Sequence, residues 1–174
     1  MWALTLLTIL TLVMMASILW TQSRGAPWVP TSLGKVEDML NMAEVGPNDL
    51  VYDLGCGDGR TIVMAAWRFG SRAVGIEIDP LRYLWCQFLI TILGLRDRVN
   101  IVYGDFFAQD LREADVVTCY LTQNTNERLQ DKLMQELHPS ARVVTNSFTF
   151  PRLYLLRQNN KSGIYVYHPV PASQ

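Results

Sequence analysis

The sequence is poor in several residue types that mark common classes of protein. Its 174 residues include only two histidines and three cysteines, and no two cysteines have the C-x-x-C spacing. An odd number of cysteines without that spacing predicts neither a disulfide framework nor a structural metal site. The formal net charge is −1, so the chain lacks the strongly basic surface of most nucleic-acid-binding proteins and no nucleic acid partner is expected. The length fits one domain.

Charge is also missing from the first 23 residues, MWALTLLTILTLVMMASILWTQS. About 20 apolar residues in a helix span the core of a bilayer, and Trp2 and Trp20 lie at the two ends of this run. A cleaved signal peptide would have a basic start, and a buried helix without one charge is unusual in so small a domain. The run predicts a single-pass transmembrane anchor over residues 1–22. Arg24 and Lys35 follow it, which favours a cytoplasmic domain, or one on the matrix side in a mitochondrion.

The rest of the chain alternates between short apolar runs and amphipathic segments. After a linker over residues 23–30, residues 31–174 are predicted to form one α/β domain. This domain is Rossmann-like, a doubly wound parallel sheet of about seven strands with an antiparallel edge hairpin around NNKSG. Five strands are predicted at 50–54, 73–78, 99–104, 114–121 and 141–148, and helices at 32–45, 59–69, 80–93 and 124–137. Ligands of such sheets bind beyond the carboxyl ends of the strands.

The most informative stretch is VYDLGCGDGR, which follows the first of these strands. Its glycines have the spacing G-x-G-x-G, whereas the dinucleotide motif is G-x-G-x-x-G and would place a glycine at Arg60. Asp53 precedes the turn and would repel a phosphate, but its carboxylate suits a cation. S-adenosyl-L-methionine carries an ammonium and a sulfonium and no phosphate. The turn Gly55–Cys56–Gly57 is therefore predicted to hold that cofactor.

Two more carboxylates follow the next two predicted strands. Glu77 ends the second strand, where it would accept hydrogen bonds from both ribose hydroxyls, and Asp79 is the alternative. Asp105 follows the third strand and would accept from the exocyclic amine of the adenine. Phe106 or Ile78 would pack on the adenine ring. Three acids at three successive strand ends are a more specific signal than any one of them.

Taken together, VYDLGCGDGR, GIEIDP and VYGDFF resemble the first three motifs of class I S-adenosylmethionine-dependent methyltransferases, over about residues 29–169. Ahead of them, WVPTSLGKVEDML resembles small protein lysine methyltransferases. These are the archaeal broad-specificity enzymes and the mitochondrial family that methylates the c-subunit of ATP synthase, which also has an N-terminal hydrophobic segment. The resemblance implies lysine side chains of a protein as the substrate, and the mitochondrial family makes a membrane protein one candidate. It also implies that Trp28 to Thr31 close over the methionine end of the cofactor.

The residues that would bind the methyl acceptor, here called the acceptor side, are less well defined by the sequence. After the fourth strand the chain reads CYLTQNTNE, without the Asn/Asp-Pro-Pro-Tyr segment of many adenine and glutamine N-methyltransferases. Tyr120 is the candidate catalytic residue that orients the amine, with Thr122 and Gln123 beside it. The alternative is that Tyr120 packs and the other two cap the next helix. A buried lysine has a lowered pKa, so no dedicated base is required.

Three alternatives remain open at this point. The enzyme could methylate a lipid or a quinone, or the domain could be a non-catalytic cofactor-binding scaffold in a membrane complex. In addition, the helix PLRYLWCQFLITILG is apolar nearly all round. This pattern predicts a helix buried against the sheet, and the alternative is that Trp85 and Phe88 touch the bilayer.

Overall fold

The computed structural model describes residues 2, 4–8, 11 and 29–172. Residues 29–172 form one α/β domain with a three-residue 3₁₀ turn at Phe106–Ala108. The helices are α1 (Leu33–Met42), α2 (Arg60–Arg68), α3 (Pro80–Ile92) and α4 (Gln123–Glu136). The strands are β1 (Leu50–Leu54), β2 (Arg72–Glu77), β3 (Val99–Tyr103), β4 (Val116–Cys119), β5 (Arg142–Asn146), β6 (Leu153–Asn159) and β7 (Ile164–Pro171).

All seven strands belong to one sheet, in the order β3-β2-β1-β4-β5-β7-β6. Strands β1 to β5 are parallel, and β7 pairs antiparallel with both β5 and β6. The predicted Rossmann-like sheet with an antiparallel hairpin is confirmed. The order in which successive strands are added to the sheet reverses between β1 and β4. The carboxyl ends of these two parallel strands therefore flank the position where ligands of such folds bind.

Helices cover both faces of this sheet. On one face, α1, α2 and α3 bury Val36, Ile62 and Ile90 in a common cluster. On the other face, α4 buries Leu129 and Leu133 against the sheet. Burial of apolar side chains on both faces is the main contribution to the stability of this architecture.

Local sequence signals set the starts of the helices. The hydroxyl of Ser32 accepts a hydrogen bond from Lys35 N and caps α1, as one of the two predicted caps. Asp79 caps α3, and Pro80 occupies the first helical position, where its missing N–H costs nothing. Helix α2 begins after Gly59, whose φ of 83° is in the left-handed region.

The prediction that helix 80–93 is buried against the sheet holds for only one side of that helix. Only Cys86 and Ile90 of α3 are buried. Five large apolar side chains of α3 are between 45% and 65% exposed: Leu81, Leu84, Trp85, Phe88 and Ile92. Helix α3 packs with one side on β2 and β3 at the edge of the sheet, and no other described element covers its outer side.

The predicted anchor over residues 1–22 and nearly all of the linker lie outside the described residues. In the part of the chain that the structure describes, no helix is both long enough and apolar enough to cross a membrane.

Candidate active site

The glycine turn after β1 is fixed to the end of the neighbouring strand. The backbone amides of Gly55 and Cys56 both donate to the carbonyl oxygen of Ile76, at 2.9 and 3.0 Å. Gly55 and Gly57 have φ values of 75° and 59°, which a residue with a Cβ rarely adopts. The turn is therefore tight, and its outer surface carries no side chain at either glycine.

Glu77 connects this turn to the start of α3. The side chain is 4% exposed, and its Oε2 accepts from Gly57 N at 2.8 Å while its Oε1 accepts from Asp79 N at 2.8 Å. A carboxylate has about four lone-pair positions, so each oxygen can accept one more hydrogen bond. Burial raises the pKa of Glu77, and the two backbone donors and Arg82 oppose that rise.

Asp79, the alternative ribose ligand, has a different role. Its Oδ1 accepts from Leu81 N and Arg82 N at 2.9 Å each, so this carboxylate caps α3. It is fully buried, and its Oδ2 lies 3.7 Å from the Arg82 guanidinium. This geometry favours Glu77 over Asp79 as the residue that faces a ligand.

Asp53 is a buried carboxylate with hydroxyl partners. Thr118 Oγ1 donates to its Oδ1 at 2.6 Å, and Thr61 also bonds to the side chain. Among the described residues it forms no ion pair. Burial, with further repulsion from Glu77 and Asp58, raises the pKa of Asp53 to about 6. A ligand ammonium would supply the counter-charge that this carboxylate lacks.

The predicted adenine residues lie in the loops that follow β2 and β3. Asp105 is exposed, and its Oδ1 accepts from Phe107 N at 2.9 Å, which starts the 3₁₀ turn. Phe106 is half-buried and packs on the Phe107 ring, with a centroid distance of 4.8 Å. Ile78 directly follows Glu77 and is also half-buried. Because β2 and β3 are adjacent and parallel, these residues share one edge of the sheet with Glu77.

Arg60, which replaces the late glycine of the dinucleotide motif, joins the turn to the N-terminal segment. Its Nε donates to Asp58 Oδ1 at 2.8 Å, and its guanidinium donates to the carbonyl oxygen of Thr31. The structure thus places Thr31 next to the glycine turn, whereas Trp28 lies outside the described residues. In the sequence, Arg60 is notable only as a departure from the dinucleotide motif, and its contact with Thr31 was not predicted.

The predicted acceptor residues lie in the loop after β4 and at the start of α4, close to the loop after β5. The rings of Tyr120 and Phe148 stack with a centroid distance of 6.4 Å and an interplanar angle of 25°. Thr122 caps α4 by accepting from Thr125 N, and Gln123 bonds to both backbone groups of Thr149. Thr122 therefore has the capping role that was the alternative, whereas Gln123 links the start of α4 to the loop after β5. No sequence motif marks Phe148, which only the parallel pairing of β4 and β5 brings to Tyr120.

The two histidines form hydrogen bonds with nearby residues, and the three cysteines lie in the interior of the domain. His138 Nδ1 lies 2.7 Å from Ser140 Oγ, and His168 Nδ1 lies 2.9 Å from the Ala141 carbonyl oxygen. The three cysteines are free and buried. Across the described residues, no cluster of histidine, cysteine, aspartate and glutamate could hold a metal ion.

The sheet, the glycine turn and the acids at its carboxyl edge define a class I methyltransferase. Residues 53–156 match the model of the ANTKMT methyltransferase domain, and the chain belongs to that family. It is 47% identical to a protein-lysine N-methyltransferase of Saccharolobus islandicus (strain REY15A), over 70% of this chain and 76% of that protein. It is 30% identical to the ATP synthase c-subunit lysine N-methyltransferase of Xenopus laevis, over 72% of this chain and 54% of that protein.

A solved structure supports the same assignment. The RNA methyltransferase of Salinibacter ruber, in complex with S-adenosyl-L-homocysteine, superposes with a TM-score of 0.77 at 38% identity and covers 84% of this chain and 95% of that one. The resemblance to class I methyltransferases and to the small lysine methyltransferases is confirmed, and S-adenosyl-L-methionine is the cofactor. The residues present fit that cofactor, since Asp53 lacks a counter-charge and Glu77 keeps acceptor capacity beside a turn without side chains.

Proposed function

We propose that this methyltransferase transfers a methyl group to the side-chain amine of lysine in proteins, and that it does so while held at a membrane. The observation that carries the proposal is the uncharged, aromatic acceptor side. Residues 116–126, which include β4, and residues 143–151, which include β5 except its first residue Arg142, contain no charged side chain. The stacked rings of Tyr120 and Phe148 lie within these two segments. The archaeal and the Xenopus relatives both have names that specify lysine N-methylation.

An uncharged, aromatic acceptor side fits the chemical requirement of a lysine acceptor. The ammonium form has no lone pair, and the free side chain has a pKa of about 10.4. Removal from water lowers that pKa, so the amine can release its proton to solvent before methyl transfer without a dedicated base. Aromatic rings exclude water, and their faces attract cations. They therefore suit both the charged and the neutral form of the amine.

The residues at the other side of the edge hold the methyl donor. When bound, the cofactor supplies a methyl group on a positively charged sulfur. In our proposal, Asp53 balances the ammonium of its methionine part, and Glu77 accepts from the ribose hydroxyls. Asp105 and the rings near it would hold the adenine. Rate acceleration then comes mainly from the fixed, in-line placement of donor and amine.

Methylation of RNA is the second candidate, because the Salinibacter ruber protein is named an RNA methyltransferase. Binding of nucleic acid depends largely on lysine and arginine contacts to phosphates. The loop after β4 has no such cation, the loop after β5 has only Arg152, whose guanidinium is paired with Asp131 at 2.6 Å, and the net charge of the chain is −1. These facts favour a protein acceptor, while a lipid or quinone acceptor is left for the experiment to decide.

The membrane part of the proposal depends on the uncharged residues 1–23. We propose a single-pass anchor over residues 1–22, with the domain on the cytoplasmic side, or on the matrix side in a mitochondrion. The full chain should then stay in the pellet when membranes are washed with alkaline carbonate. In sealed vesicles of known orientation, only protease on the proposed side should cleave the domain.

The acceptor can be identified by tracing the methyl group. The full chain is incubated with isotope-labelled S-adenosyl-L-methionine and, in separate reactions, membrane proteins, total RNA or extracted lipid. We expect label on lysine side chains, located by mass spectrometry of tryptic peptides. Label that enters RNA or lipid faster than protein would contradict the proposal, as would label on another amino acid. A Glu77→Ala variant provides the background, because its loss of cofactor binding should remove enzymatic transfer.

A further inference from the structure

The outer side of α3 is an apolar surface that the methyltransferase reaction does not use. It consists of Leu81, Leu84, Trp85, Phe88 and Ile92, which we call the α3 face. These positions are three, four, seven and eleven residues after the first, so they form one stripe along the whole helix. Each side chain is at least 45% exposed. Contiguous exposed apolar surface of this kind marks a contact with another molecule or a membrane.

Nothing in the described part of the chain covers this face. Helix α3 uses its inner side, with Cys86 and Ile90, to pack on the sheet. The described residues near the N-terminus do not shield the face either, since Leu4, Leu6 and Leu7 are themselves 59% to 71% exposed. The α3 face therefore needs an occupant from outside the domain.

The charges around the α3 face indicate what that occupant is. No aspartate or glutamate occurs from residue 80 to residue 96. Arg82 turns inward, toward Glu77 and Asp79, and its side chain is only 15% exposed. Arg96 and Arg98 lie beyond the end of the helix and are exposed, as is Asp97 between them, so this border has a net charge of +1. An apolar stripe with aromatic residues and a basic border is typical of a helix that lies in the interface of an anionic membrane.

The position of α3 agrees with such an orientation. Helix α3 begins at the same sheet edge as the glycine turn, because Asp79 follows the end of β2. The N-terminal segment enters the domain at this edge too, where Arg60 holds the carbonyl group of Thr31. A membrane that holds the residues before 29 would thus lie beside the first turns of α3.

We propose that the α3 face lies in the interface of an anionic lipid bilayer and holds the cofactor edge of the domain beside the membrane surface. Trp85 and Phe88, whose rings pack at a centroid distance of 6.0 Å, would be the most deeply inserted side chains. This proposal depends on the proposed membrane location but not on lysine as the acceptor. It adds a second membrane contact to the proposed anchor, and because the anchor keeps the domain near the bilayer, this weaker contact forms at a high effective concentration.

Photo-crosslinking tests this contact in the full chain. A photoreactive phenylalanine analogue replaces Phe88 in one protein and Gln135 in a second, because Gln135 is exposed on α4 at the opposite side of the sheet. Both proteins are reconstituted in vesicles of phosphatidylcholine and phosphatidylglycerol. We expect lipid adducts from position 88 to exceed those from position 135 by at least about fivefold. Equal yields, or a protein dimer crosslinked at position 88, would overturn the proposal.

A double substitution separates orientation from catalysis. In Trp85→Gln/Phe88→Gln, methylation of a lysine peptide in solution should be unchanged, because both side chains are about half exposed on the outer side of α3. Methylation of the same peptide attached to a lipid in the vesicles should fall by at least about fivefold. An equal loss in both assays, or no loss in either, would contradict an orienting role. Lipid crosslinks without lysine activity would refute the lysine assignment and leave the α3 face supported.

Discussion

Replacement of Asp53 by asparagine should make the cofactor-free protein more stable and at the same time weaken cofactor binding. The wild-type carboxylate is buried, and burial raises its pKa from 3.8 to about 6. Asparagine has nearly the same shape and removes the charge, and its Oδ1 can still accept from Thr118. In the proposed site, however, the same change removes the counter-charge of the cofactor ammonium.

The size of the stability effect follows from the pKa. A rise from 3.8 to about 6 corresponds to about 3 kcal/mol at pH 7, since one pH unit is worth about 1.4 kcal/mol. The free energy of unfolding should therefore increase by up to about 3 kcal/mol in Asp53→Asn, less whatever the new amide group costs when buried. Cofactor affinity should fall at least about tenfold, as expected when a charged hydrogen-bond partner is removed.

The pH dependence has a definite sign. Below pH 3.8 Asp53 is protonated in both the folded and the unfolded state, so it contributes no pH-dependent term there. Between pH 3.8 and about 6 the unfolded chain releases its proton first, and the wild-type protein loses stability as the pH rises. The advantage of the asparagine variant should thus be absent at pH 3.8, grow through this window and stay constant above it.

Urea unfolding of the cofactor-free proteins at several pH values measures this difference. Asp49→Asn is the matched control, because Asp49 lies 2.6 Å from the Arg142 guanidinium and its neutralisation should destabilise the protein. If Asp53→Asn is less stable than wild type at pH 7, or if its advantage does not change with pH, then Asp53 is not an uncompensated buried charge.

Three further predictions concern neighbouring residues. Glu77→Ala should lower cofactor affinity at least about tenfold, whereas Asp79→Ala should mainly cost about 1 kcal/mol of stability, because it removes the cap of α3. Calorimetry and thermal unfolding distinguish the two variants, and equal losses of affinity would contradict the different roles. Arg60→Met should speed amide hydrogen exchange in residues 29–32 and weaken cofactor binding several-fold, and it should lower the free energy of unfolding by less than about 1 kcal/mol. Unchanged hydrogen exchange would show that Arg60 does not hold the segment around Thr31. Phe148→Ala should lower kcat/KM for a lysine peptide at least about tenfold at unchanged cofactor affinity; unchanged kcat/KM would exclude Phe148 from the acceptor site.

The order of elements was largely predictable because the local signals were strong. Strand β1 occurs at the predicted residues 50–54, bounded by turn residues on both sides. Strand β4 was predicted too long, at 114–121, because its apolar run continues into Tyr120 and Leu121 after the strand has left the sheet. A run of apolar residues reports burial, but it does not report where backbone pairing stops.

Properties that depend on tertiary contacts were harder to predict. The sequence located Glu77 at a strand end, but not its bond to the amide of Gly57, which requires the register of β1 against β2. Similarly, periodicity cannot show that α3 lies at the edge of the sheet with nothing described outside it. The sequence pattern of an apolar helix is the same whether another element or a membrane covers its outer side.

The central claim is that this cofactor edge methylates lysine, and one kinetic comparison tests it most directly. The initial rate of methyl transfer by the full chain is measured on a peptide with a single lysine, and on the same peptide with that lysine Nζ-acetylated. We predict transfer to the first peptide, at a rate that rises with pH as more of the amine loses its proton, and none to the second. Equal transfer to both peptides, or transfer to RNA alone, would contradict the account.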